Sequence, residues 1–262
     1  MKNESTYAKK FATLFRKIKS ATKTAEPAPQ RDPIVQLVLG FLTWNTTRRQ
    51  AEEAYDRITP TEMVDHNDLR VTHAHVIADL LGDGYEQAGE RASRLRETLH
   101  EIYRREHAVS LDSLTAMTKK QARNYLDTLP GMTPYVAAQM LLTCFGGHAV
   151  PVDDRLADLL RDEDAVDPEA TVEQIEAFLE RQIKSGDGPA AHAHLQAWAD
   201  SKRRRTGAAR AAEQAPAAKP TRKKQTTRTK KATTRKKPTT RKKATTRKKT
   251  TTRKKATTRR YK

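Results

Sequence analysis

Two short segments carry residues whose types and spacing could do chemistry. The first is Leu129-Pro130-Gly131-Met132-Thr133, set between two stretches of helical apolar periodicity. Pro130 ends one helix, and Gly131 can adopt the positive φ that a tight turn needs. The backbone N–H groups of such a turn, with the N-terminus of the next helix, form a small anion site. It can hold one DNA phosphate without reading sequence. The second segment is Val152-Asp153-Asp154-Arg155-Leu156, an aspartate pair at the start of a helix. Asp153 in that place is a good N-cap. It is equally a carboxylate that could stabilise positive charge or activate water. The two roles are compatible, and Asp154 could be the cap instead.

The elements that must position these segments read as helices throughout. Tyr7, Phe11, Leu14, Phe15 and Ile18 share one face of a first amphipathic helix. A linker with Pro27, Pro29 and Pro33 follows, and Asp32-Pro33 suits the start of the next helix. There Ile34, Leu37, Val38, Phe41 and Leu42 repeat at helical spacing. Further helices are predicted over 48–58, 74–81, 87–105, 118–129, 135–145, 154–160, 172–183 and 189–201. No segment alternates with period two. The expectation is an all-α body of nine or ten helices over residues 1–201.

Charge divides the chain at about Lys202. Of its 262 residues, those from Lys202 onward hold 27 Lys and Arg against the single acid Glu213, a net +26. Residues 1–201 hold 24 bases and 31 acids, a net −7. From Arg235 the tail repeats Arg-Lys-Lys-x-Thr-Thr, with no apolar face that could offset the entropy of ordering. It is expected to be disordered in isolation and to meet a polyanion. An extended hexamer spans ~20 Å, over which duplex DNA presents about 12 phosphates. Three bases per hexamer therefore make a loose, salt-sensitive tether, beginning at Lys202, Arg203, Arg204 and Arg205; RNA or another acidic partner would serve as well.

The apolar runs are far shorter than the ~18 residues of a membrane helix. The N-terminus has no signal-peptide core. The single cysteine, Cys144, excludes an internal disulfide framework and any all-cysteine metal site. Nothing marks His73, His75, His192 or His194 as metal ligands. The chain is expected to be soluble and intracellular, without a membrane role.

On these residues the chain resembles the helix-hairpin-helix DNA glycosylases of the endonuclease III type. Leu129-Pro130-Gly131 with Ala137 is similar to the family's LPGVGxxTA hairpin. Phe145-Gly146 through Pro151-Val152-Asp153 is similar to its FG…xPVD segment, at matching spacing. Asp32-Pro33 through Trp44-Asn45-Thr46-Thr47 resembles its early helix. The likeness spans about residues 5–200 and implies a two-lobed helical glycosylase fold. It also implies that Asp153 is the catalytic carboxylate beside a flipped nucleotide. Asn45, or Trp44, would fill the gap in the duplex. Read by themselves, Trp44 suits the core and Asn45 a helix end.

Several departures alter what the resemblance implies. Thr133 replaces the second hairpin glycine, where a β-branched residue opposes positive φ. Tyr135 stands where bifunctional members place the Schiff-base lysine, so lyase chemistry should be absent; packing or a phosphate contact is the plainer role for that side chain. Asp154-Arg155 replaces a Thr-His pair. No cysteine follows Cys144, so the iron–sulfur cluster of many members is not expected, nor any cofactor beyond a monovalent cation that the hairpin could hold. The resemblance implies a monomeric, monofunctional DNA N-glycosylase on double-stranded DNA, cytoplasmic and DNA-associated (nuclear in a eukaryote). The alternatives are a non-catalytic chromosome-associated protein on a degenerate glycosylase fold, and a nucleic-acid compaction factor whose body only dimerises. An Asp153 lining an open cleft would favour chemistry, and a buried one would count against it.

Overall fold

The computed structural model describes residues 4–60 and 65–202. Arg203, Arg204, Arg205 and the Lys/Arg repeat lie outside the described residues. Eleven α-helices and two 3-10 turns form the described chain, which contains no strand. They are α1 (Glu4–Ala21), α2 (Pro33–Thr43), α3 (Arg48–Ile58), α4 (His66–Val71), α5 (Ala74–Leu81), α6 (Ala88–Glu106), α7 (Lys119–Asp127), α8 (Pro134–Thr143), α9 (Asp154–Asp162), α10 (Val172–Gln182) and α11 (Gly188–Ser201). The expectation of nine or ten helices missed α4, whose six residues are too few to display a periodicity. No described helix is long and apolar enough to cross a membrane.

The boundaries follow local chemistry. Asp32 accepts the backbone N–H groups of Ile34 and Val35, with Pro33 in the first turn of α2. Thr47 with Gln50, Thr118 with Gln121 and Thr171 with Gln174 close reciprocal capping boxes on α3, α7 and α10. His73 stands just outside α5 as its N-cap. Its ring therefore stacks on His75 at 5.5 Å rather than facing the opposite side of a shared helix.

Burial organises these helices around two cores. One gathers Ile34, Leu37, Phe41, Ile58, Ile77, Leu95, Leu99, Leu126, Val136 and Met140, from α2 to α8. The other gathers Phe11, Ile18, Leu156, Leu160, Phe178, Leu179, Leu195 and Trp198, so α1 joins α9, α10 and α11. Phe11 meets Phe178 edge-on at 6.0 Å. Each such side chain contributes roughly 1.5–3 kcal/mol on burial, enough to draw the N-terminal helix onto the C-terminal lobe. The segment 22–32 carries the chain from one lobe to the other.

Both α2 and α8 are buried nearly all round. A Cβ at Gly40 would stand 3.2 Å from Val136 Cγ1 and 3.3 Å from Gln139 Oε1, so glycine permits their close crossing. A small third cluster of Ala138, Leu141 and Ala149 fastens the segment after α8 back onto it. That segment delivers Asp153 to the boundary between the lobes.

Candidate active site

The hairpin joins α7 to α8. Gly131 has φ +78°, as its turn requires. A Cβ there would lie 2.5 Å from the backbone oxygen of Arg94. The turn is seated on α6: Thr98 Oγ1 donates to Pro130 O at 2.8 Å and Arg94 Nη1 to Gly131 O at 3.4 Å. Leu129 is buried, Pro130 exposed, and Met132 packs on the first core. Thr133 has the backbone that its β-branched side chain favours. Its φ is −103°, extended backbone suited to a β-branched residue, and its hydroxyl accepts the Val136 N–H at 3.2 Å. Thr133 is an N-cap, with Pro134 beginning the helix.

Asp153 is the N-cap of α9, and Asp154 is not. Its Oδ1 accepts the Leu156 N–H at 2.8 Å. Its Oδ2 accepts the Asn45 N–H at 3.0 Å. Only 3% of Asp153 is exposed, so it lines no open cleft. Burial raises the pKa of its carboxyl above the usual carboxylate range. The Arg155 charge and the two backbone N–H groups pull the other way.

Asn45 is itself buried and sits at φ +58°. Its Nδ2 donates to Asp154 Oδ2 at 3.0 Å, and its Oδ1 accepts the Arg155 N–H at 3.4 Å. The side chain thus spans the first turn of α9. Trp44 packs against the first core, with the Arg91 and Arg94 guanidinium carbons 5.4 and 5.6 Å from its ring. That is the core role its own apolar surroundings suggest.

Tyr135 projects from the first turn of α8 and is buried. Its hydroxyl has no hydrogen-bond partner. Burial first, and then the Asp153 charge, push it far above the usual tyrosine range, so it carries its proton at neutral pH.

Three residues that sequence reasoning did not single out complete the surroundings. Arg91, on α6, is 1% exposed. Its Nη1 donates to Phe41 O at 2.6 Å and its Nε to Glu86 O at 2.8 Å, while Nη2 has no partner. It caps the end of α2 from outside that helix. Tyr85 donates to Leu42 O at 2.6 Å beside it. Asp200, near the end of α11, stands 2.8 Å from Arg155 Nη2 and accepts the Arg48 N–H at 3.0 Å. The one signal for Arg91 was a charge on the face shared with Leu95, Leu99 and Ile102. Asp200 carried none, because the partners that tie it to the site, Arg48 and Arg155, come from α3 and α9.

Lys202 ends the described chain, exposed, with its Nζ 5.7 Å from the centre of the Trp198 ring. Among the described residues no group of histidine, cysteine and carboxylate side chains could hold a metal ion. With Cys144 as the sequence's single cysteine, its residues do not fit a cluster ligated by four thiolates.

No family model and no curated protein matches the sequence. Solved structures do match the fold. An endonuclease III trapped as a covalent intermediate with DNA aligns at TM-score 0.57 and 14% identity, over 72% of this chain and 84% of that one. The 8-oxoguanine glycosylase/lyase of Clostridium acetobutylicum, in complex with double-stranded DNA, aligns at 0.57 and 18%, over 76% and 70%. A thermostable thymine-DNA glycosylase aligns at 0.53 and 18%, over 74% and 87%. The described chain therefore has the helix-hairpin-helix DNA glycosylase fold.

Proposed function

We propose that this chain is a DNA N-glycosylase of the monofunctional kind, with Asp153 as its working carboxylate. The observation that carries the reading is the position of Asp153, fixed by the first turn of α9 at the lobe boundary. The polar atoms Tyr135 Oη and Arg91 Nη2 are buried in the same region without partners. Buried polar atoms left unpaired are costly.

Cleaving the bond between sugar and base develops positive charge on the sugar. A carboxylate fixed beside it stabilises that charge and can orient the attacking water. Tyr135 offers no amine, so no Schiff base forms and the strand stays intact. The base must first leave the stack, at a cost of a few kcal/mol that favours damaged or mismatched pairs. The hairpin would hold one phosphate, and the tail from Lys202 onward would tether the acidic body to DNA. Hydrolysis of this kind needs no cofactor.

The test is purified full-length protein on duplexes carrying damaged or mismatched bases. Abasic products should form and break only after alkali. Asp153→Asn should lower turnover by about a hundredfold or more. Strand breakage without alkali, with borohydride trapping, contradicts the monofunctional reading. Unchanged turnover in Asp153→Asn contradicts the role of that carboxylate.

A second reading has its own observation. Both Asp153 oxygens are engaged and only 3% of the residue is exposed, which favours a non-catalytic DNA-shape binder. Deleting 202–262 separates the two: an enzyme keeps turnover at low salt, and an architectural protein loses nearly all its effect on DNA.

A further inference from the structure

We propose that Arg155 is a positioning residue that favours the charged form of Asp153, anchored for that purpose by Asp200. The inference rests on the reading of Asp153 as the working carboxylate, because Arg155 acts only through it.

A nearly buried carboxyl prefers to be neutral, and a neutral acid cannot stabilise positive charge. The groups that bear on Asp153 come from five places. On its own helix are Asp154, Arg155 and the Leu156 N–H. From α8 comes the neutral Tyr135 hydroxyl, from α6 Arg91, and from α11 Asp200. The segment between α2 and α3 supplies the Asn45 N–H. Of the two cations, Arg91 is committed to the carbonyls of Phe41 and Glu86, with its guanidinium carbon 5.4 Å from the ring centres of both Trp44 and Tyr85. Arg155 is the cation in reach: its Nε stands 3.8 Å from Asp153 Oδ2, and its side chain is 6% exposed.

The far end of the guanidinium is held separately. Arg155 Nη2 is 2.8 Å from Asp200 Oδ1. Asp200 is fixed in turn by the Arg48 N–H at 3.0 Å and by Gln196 Nε2 at 3.1 Å. Neither Arg155 Nε nor Nη2 is aligned as a hydrogen-bond donor in this arrangement. Arg155 therefore supplies charge to Asp153 without occupying one of its lone pairs. Among the influences on Asp153, the Arg155 charge is the largest that opposes burial.

The experiment follows the Asp153 carboxyl directly, by carbon NMR of full-length protein labelled at the aspartate carboxyls. The Asp153→Asn variant assigns the signal. In Arg155→Gln the titration midpoint of Asp153 should rise by about one pH unit or more relative to wild type. Arg155→Lys, which keeps the charge, should return it toward the wild-type value and remains informative if the glutamine variant does not fold. The acidic limb of the base-excision pH profile should move with the midpoint. A midpoint unchanged in Arg155→Gln overturns the inference, as does an Arg155→Lys midpoint raised as far as that of the glutamine variant. A raised midpoint in a protein that excises no base upholds the role of Arg155 and defeats the glycosylase reading.

Discussion

The backbone N–H of Asn45 donates to Asp153 Oδ2 at 3.0 Å, joining residues 108 positions apart. Asn45 belongs to the lobe built on α2, and Asp153 opens α9 of the other. The same asparagine's side chain bonds Asp154 and the Arg155 N–H. The lobe boundary is therefore closed over the candidate carboxylate by one residue in the left-handed conformation.

Asn45→Ala removes both side-chain bonds and places a residue with no αL preference at φ +58°. The expected loss is about 2–3 kcal/mol by urea denaturation. Asn45→Gly also loses the bonds but suits the backbone, so it should cost about 1 kcal/mol less. Equal losses would show that the backbone conformation contributes nothing.

Gly131→Ala should be severe for one methyl group. Its Cβ would meet Arg94 O at 2.5 Å and Arg94 Cα and Thr98 Oγ1 at 3.0 Å each. With φ at +78°, the expected cost is about 2 kcal/mol or more. Calorimetry reads it as a lowered Tm, and a wild-type Tm would mean that the hairpin does not sit on α6 in solution.

Tyr135→Phe should raise stability by on the order of 1 kcal/mol, because it removes a buried hydroxyl without a partner. A lowered Tm would reveal a partner for that hydroxyl.

Glu176 predicts a pH effect. It is buried on α10, where the Arg123 guanidinium 3.9 Å away only partly offsets the burial. Burial raises its pKa from 4.5 to about 7. The folded state then binds more protons than the unfolded one between those values, so this group's stabilisation is present below 4.5 and lost as pH rises through 7. His192 acts in the opposite direction: burial lowers its pKa from 6.5 to about 4, and its contribution falls as pH drops through that range. The comparison with Glu176→Gln isolates the carboxylate. The variant should gain on wild type by on the order of 1–3 kcal/mol between pH 5 and pH 8. A constant difference across that range would place Glu176 in water.

Affinity for random duplex should fall log-linearly with salt, and removing residues 202–262 should collapse the slope. Fluorescence anisotropy over a salt series measures this. An unchanged slope would remove the tail from DNA binding.

Much of this protein was legible in its sequence, because the signals were local. The helix start at Asp32-Pro33, the Pro130-Gly131 turn and the apolar face of each longer helix depend on neighbours within a few residues. The hairpin and the PVD segment at their spacing pointed to the fold. The opposition of a β-branched Thr133 to positive φ was also local, and the cap it makes holds it extended. The split of charge at Lys202 is likewise a property of composition alone.

What surrounds Asp153 was decided by tertiary structure. Asn45, Arg91, Arg155 and Asp200 lie on four separate stretches of chain, and no periodicity relates them. Their meeting depends on α1 packing with the C-terminal helices and on α2 crossing α8 at Gly40. A buried charge is tolerated only where folding brings it partners, so the ionic surroundings of the carboxylate emerge only when both lobes have assembled around it.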